Sequence, residues 1–95
     1  MDLDIALRKI RVEKSLRQNM VAKKAKISQT YLSQIESGGK FPSDKVVKKL
    51  CKVYGVPYIV LAWYGTNEAD IKPDKKHFYL QLKPLIDGLI SQIVK

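Results

Sequence analysis

Gln29, Thr30, Ser33 and Gln34 place two amides and two hydroxyls within six residues. On a helix these four fall to one side, while Leu32 and Ile35, three apart, fall to the other. Outward amides and hydroxyls suit recognition by hydrogen bonding and methyl contact: a glutamine amide can grip adenine through N6 and N7, and a threonine methyl can meet a thymine methyl. The four are therefore base-reading candidates for the major groove of double-stranded DNA. Ser28 just before them can cap the helix by accepting backbone N–H bonds. Tyr31 either touches phosphate or sugar or packs against the domain. The stretch holds no arginine, so the commonest guanine contact is missing, and the reading leans toward A·T pairs at the contacted steps.

Other elements must hold that face out. Gln18 to Ala25 reads as a short helix with Val21, Ala22 and Ala25 on one side. Ala22 is small enough for two helices to cross closely, and Ile27 plugs the turn that follows. Residues 2 to 14 read as a first helix, with Leu3, Leu7 and Ile10 as its buried stripe and Asp2 and Asp4 at the positive end of its dipole. After the base-reading helix, Gly38 suits a left-handed terminator. Ser43 suits a cap for a fourth helix with an apolar face of Val46, Val47, Leu50, Val53 and Tyr54 and a lysine face of Lys45, Lys48, Lys49 and Lys52. Those lysines read as a solvated face, as do Lys23, Lys24 and Lys26.

The spacing of Gln18, Val21-Ala22, Ile27, Leu32 and Ile35 resembles the helix-turn-helix of the phage-repressor class, the lambda-repressor-like or XRE family. Leu7, Ile10 and Arg11 upstream extend the similarity. So do the E-x-G-x-x-x-P run from Glu36 to Pro42, then Leu50, Tyr54-Gly55-Val56 and Leu61. It covers about residues 5 to 65. The resemblance implies an all-α fold: a compact five-helix DNA-binding domain over 1–65, followed by a C-terminal helical tail over 66–95. It also implies site roles. Arg11 pairs with Glu36, against the plain alternative of an exposed arginine. Gln18 bonds a DNA phosphate and braces a recognition-helix side chain. Arg17, Asn19, Ser28, Tyr31, the backbone at Gly39, and Lys40 complete a phosphate-binding set. Lys26 departs from the pattern, since the family usually has glycine where the turn wants a positive φ.

Ninety-five residues make one domain with room for an appendage, and 45% apolar content supports a small core. No apolar run reaches the ~20 residues of a membrane span. One cysteine, Cys51, cannot form an internal disulfide and sits among apolar neighbours, so a buried inert thiol in a reducing cytoplasm is expected. His77 stands alone, so no metal site is expected, and neither a cofactor nor an acid–base pair for catalysis is evident. The net charge is +9, and residues 1–65 hold 13 Lys and Arg against 5 Asp and Glu, while 66–95 hold 5 against 4. A positive bias confined to the segment with the motif favours a polyanion partner.

In the tail, Thr66 to Pro73 reads as a polar linker. Phe78, Leu82, Leu85, Leu89 and Ile93 then step at helical spacing, and Ile86 and Ile90 widen the stripe. Pro84 should kink this helix or begin a new one, and Gly88 weakens it. The stripe serves homodimerisation or packs on its own domain. Trp63 reads as core or dimer-facing. The function expected is a sequence-specific regulator of transcription, a repressor on a dyad-symmetric operator. The alternative is an antitoxin or anti-repressor type of module whose tail binds another protein. A small-ligand sensor is a weaker third.

Overall fold

The computed structural model describes residues 1–95 as six α-helices with no strand: α1 (Leu3–Glu13), α2 (Gln18–Ala25), α3 (Gln29–Glu36), α4 (Asp44–Tyr54), α5 (Tyr58–Gly65) and α6 (Lys76–Val94). All six supply the core. Leu7, Ile10, Val21, Leu32, Ile35, Leu50, Val60 and Leu61 are fully enclosed, and each side chain of this size contributes about 1.5–3 kcal/mol on burial. Ala22 and Ala25 are sealed where α2 meets α3 and α4. α1 and α5 form the most closely packed pair.

Four of the helices end by one device. A left-handed residue follows, and the next N–H reaches back five residues to a carbonyl of the last turn. Leu16 N donates to Arg11 O at 3.0 Å after Ser15 (φ 55°), and Ile27 N to Ala22 O at 3.0 Å after Lys26 (φ 58°). Gly39 N donates to Gln34 O at 2.9 Å after Gly38 (φ 84°), and Val56 N to Cys51 O at 3.1 Å after Gly55 (φ 67°). Lysine at position 26 thus keeps the left-handed turn conformation that glycine would take without strain.

The starts of α3 and α4 are capped by side chains. Ser28 Oγ accepts from Tyr31 N at 3.0 Å and Ser43 Oγ from Val46 N at 3.3 Å. The N-terminus is tied down: Asp2 N donates to Gly65 O at 2.7 Å, and Asn67 Nδ2 donates to Asp2 Oδ2 at 3.1 Å. The backbone of Asp2 comes so near Gly65 that an added Cβ there would lie 3.1 Å from the Asp2 carbonyl oxygen.

The tail differs from its reading in two ways. The stretch expected to be a linker forms two short 3₁₀ turns, Glu68–Asp70 and Pro73–Lys75, the first closed by an Asn67–Asp70 capping box. α6 runs unbroken through Pro84 and Gly88. Pro84 and Leu80, the residue four before it, are both exposed, so water can satisfy the carbonyl that proline leaves without a donor. No helix is long and apolar enough to cross a membrane.

Candidate nucleic-acid interface

α3 turns Leu32, Ile35 and Glu36 inward and leaves Gln29, Thr30, Ser33 and Gln34 exposed on one arc. Within that arc the side-chain groups of Gln29, Thr30 and Ser33 make no bond to the rest of the protein. Tyr31 sits at the margin, half-buried against the core.

Behind α3 lies a buried polar lock. Arg11 Nε donates to Glu36 Oε2 at 2.8 Å and Arg11 Nη2 to Glu36 Oε1 at 2.9 Å. The Glu36 side chain is 3% exposed, so its charge is tolerated only because the fork neutralises it. Hydrogen bonding to Glu36 raises the Arg11 pKa above its ordinary value. Arg11 Nη1 also donates to Leu16 O at 2.9 Å, which ties down the α1–α2 connection. Gln18 Nε2 donates to Glu36 Oε1 at 3.1 Å, linking the first residue of α2 to the last of α3. Beside this lock the Tyr54 hydroxyl is buried with no partner, and burial, then the nearby Glu36 charge, pushes its pKa up.

Gln18 keeps one amide hydrogen and its carbonyl oxygen. α2 has no side-chain cap at Arg17, so the backbone N–H groups of Gln18 and Asn19 face outward as a helix start suited to an anion. Arg17 and Asn19 are exposed, and Asn19 Oδ1 accepts from Met20 N at 2.9 Å. Ser28 Oγ accepts one bond for the cap and retains its O–H for donation. The Gly39 N–H closes the end of α3 at 2.9 Å, and Lys40 N donates to the same Gln34 carbonyl at 3.1 Å, so both amides already have an acceptor within the fold. Lys40 and Phe41 of this loop are exposed.

The ion pairs are Met1 with Asp70, Arg11 with Glu36, and Lys83 with Asp87. None involves Lys23, Lys24, Lys26, Lys40, Lys45, Lys48, Lys49 or Lys52, so the positive charge around α2–α4 stays uncompensated. Cys51 is half-buried, and burial raises its thiol pKa. No cluster of three or more His, Cys, Asp or Glu is placed to hold a metal ion.

The seven tail residues expected on one stripe divide. Ile90 is 6% exposed and joins the core with Val94, and Ile86 is packed against it. A helix drifts by about 40° over every four residues, so Ile86, Ile90 and Val94 have turned to one side of the line that Phe78 and Leu82 share with Leu85, Leu89 and Ile93. Phe78, Leu82, Leu85, Leu89 and Ile93 face out, Leu85 at 66% and Leu89 at 64% exposure. Trp63 is half-buried and reaches α6: its Nε1–H donates to Asp87 Oδ1 at 2.7 Å, and its ring lies 5.8 Å from that of Tyr79. This contact had no single-site signal in the sequence beyond Lys83 and Asp87 standing four apart.

A helix-turn-helix family model matches residues 7–61. No curated protein matches the chain, and no solved structure does.

Proposed function

This chain belongs to the helix-turn-helix family, of the lambda repressor and Cro (XRE) type, and is a DNA-binding regulator of transcription; on that premise we propose that it is a repressor that binds a dyad-symmetric operator as a dimer. The observation that carries the reading is the outward arc of Gln29, Thr30, Ser33 and Gln34, uncharged and free, on a helix braced from behind by Arg11, Glu36 and Gln18. The arc reads base edges. Arg17, Gln18, Asn19, Ser28, Lys40 and Tyr31 set the register on the phosphates, which carry affinity without sequence information. Two subunits place two recognition helices in successive major grooves, ~34 Å apart, and occlude a promoter.

The test is selection from a random duplex library at two salt concentrations. An inverted repeat with half-sites about one helical turn apart is expected, together with an affinity that falls steeply as salt rises. Recovery of no preferred sequence would end the reading. A second reading, a protein-interaction module of antitoxin or anti-repressor type, is favoured by the outward apolar face of α6 alone. A chain that stays monomeric and becomes a stable assembly only with a different protein would support it.

A further inference from the structure

α6 has two apolar rows, and the fold uses one. Ile86, Ile90 and Val94 lie on the chain's own core, and the Tyr79 ring packs tilted against Trp63 on the same side. Phe78, Leu82, Leu85, Leu89 and Ile93 form the second row, each between 46% and 66% exposed. At roughly 100 Å² of exposed surface apiece, two such rows laid together remove about 1,000 Å² from water, the lower limit of a specific interface. Charge points to the occupant. Residues 1–65 carry 13 cations against 5 anions, so copies repel through that part, whereas 66–95 carry 5 against 4. The row itself is uncharged, so a twofold axis can set it against its own copy without burying a charge.

The helix that would pair is also clamped. Asp87 accepts from Trp63 Nε1–H at 2.7 Å through Oδ1 and from Lys83 Nζ at 2.8 Å through Oδ2. Trp63 belongs to α5, which packs on α1, and Arg11 of α1 holds the end of the recognition helix. We infer that α6 pairs with α6 of a second copy through the Phe78–Ile93 row, and that the Trp63–Asp87 contact, by fixing α6 on its own domain, sets the distance between the two recognition helices. Asp87 and Trp63 are then positioning residues for operator spacing, although neither touches DNA. The inference rests on the dimeric DNA-binding reading above.

The experiment uses the full chain and duplexes bearing two inverted copies of the half-site recovered by the selection, with their centres stepped one base pair at a time around one helical turn. Solution mass is measured on the same proteins without DNA. For the unaltered chain a dimer is expected, with affinity falling about tenfold when the centres move two base pairs from the optimum, because one recognition helix then misses its groove. Asp87→Ala and Trp63→Phe should keep the dimer mass and the helical circular dichroism and flatten the spacing profile to within about threefold. Asp87→Asn keeps an oxygen for Trp63 and should retain most of the preference. Leu85→Lys with Leu89→Lys should be monomeric, still folded, and indifferent to spacing. A dimeric chain whose sharp spacing profile is unchanged in Asp87→Ala overturns the clamp and leaves the dimeric reading intact. A dimer that survives the double lysine change overturns the pairing row. A chain that binds its selected site as a monomer overturns the dimeric reading and this inference with it.

Discussion

Arg11, Glu36 and Gln18 show at the scale of single residues how a buried charge is made tolerable. The Glu36 carboxylate accepts three hydrogen bonds, two from Arg11 and one from Gln18. Arg11→Ala leaves that carboxylate enclosed with the amide alone and should cost about 3 kcal/mol in urea-unfolding free energy. Arg11→Met with Glu36→Leu removes both charges and should cost less than Arg11→Ala by itself. A double variant weaker than the single one would show that the pair adds net stability rather than avoiding a penalty. Tyr54 is the opposite case. Its hydroxyl is buried without a partner, so Tyr54→Phe should leave the urea midpoint unchanged or raise stability by up to about 1 kcal/mol. The Arg11–Glu36 pairing was open to expectation because the family resemblance carries it. The orphan hydroxyl was not, since Tyr54 reads only as one of five apolar-face residues.

Helices α2 and α3 work as one element through their turn. Lys26 holds φ 58°, a conformation that a Cβ penalises. Lys26→Gly should raise the thermal midpoint in proportion to about 0.5–1 kcal/mol, the strain relieved less the entropy glycine adds to the unfolded chain. The recognition helix carries a different expectation. Gln29→Ala should reduce preference for the selected site over random duplex by about 1–3 kcal/mol and leave binding to random duplex nearly intact. Equal loss on both would mean Gln29 does not read bases, and competition binding with the two duplexes decides it. The helix ends explain where sequence reading stopped at this scale. Gly38 and Gly55 advertise a left-handed residue. Ser15 does not, yet it ends α1 in the same way, because the Leu16 N–H finds the Arg11 carbonyl whatever side chain stands between.

Over the whole molecule the tail is held to the domain by a row of aliphatic side chains and one carboxylate. Lys83, then Trp63, hold the Asp87 carboxyl below the usual carboxylate range. A carboxylate with a lowered folded value stabilises the fold above its unfolded pKa of about 4, and that contribution is lost as pH falls through the lowered value. The difference in thermal midpoint between the unaltered chain and Asp87→Asn should therefore hold from neutrality to about pH 4 and vanish below it. A difference that persists at pH 2 would assign the clamp to the geometry of the side chain rather than its charge.

What the residues determined by themselves was the order and the inward faces of the first four helices, the fifth being implied by the family resemblance. Those follow from the 3.6-residue period of Leu7, Ile10, Val21, Leu32, Ile35 and Leu50, and from caps such as Ser28 and Ser43 that act within one turn. The outward arc of α3 followed by subtraction. Tertiary structure alone decided how the tail divides its apolar residues, because a stripe that includes Ile86 and Ile90 with Leu85 and Leu89 spans about 140° of the helix, and only one side of it is covered. Where the folded domain meets the tail determines that Ile86, Ile90 and Val94 are the covered side. It alone also assigned the Gly39 and Lys40 amides to the Gln34 carbonyl, since a backbone N–H goes to whichever acceptor the folded chain brings within three ångströms, and no residue type records that choice.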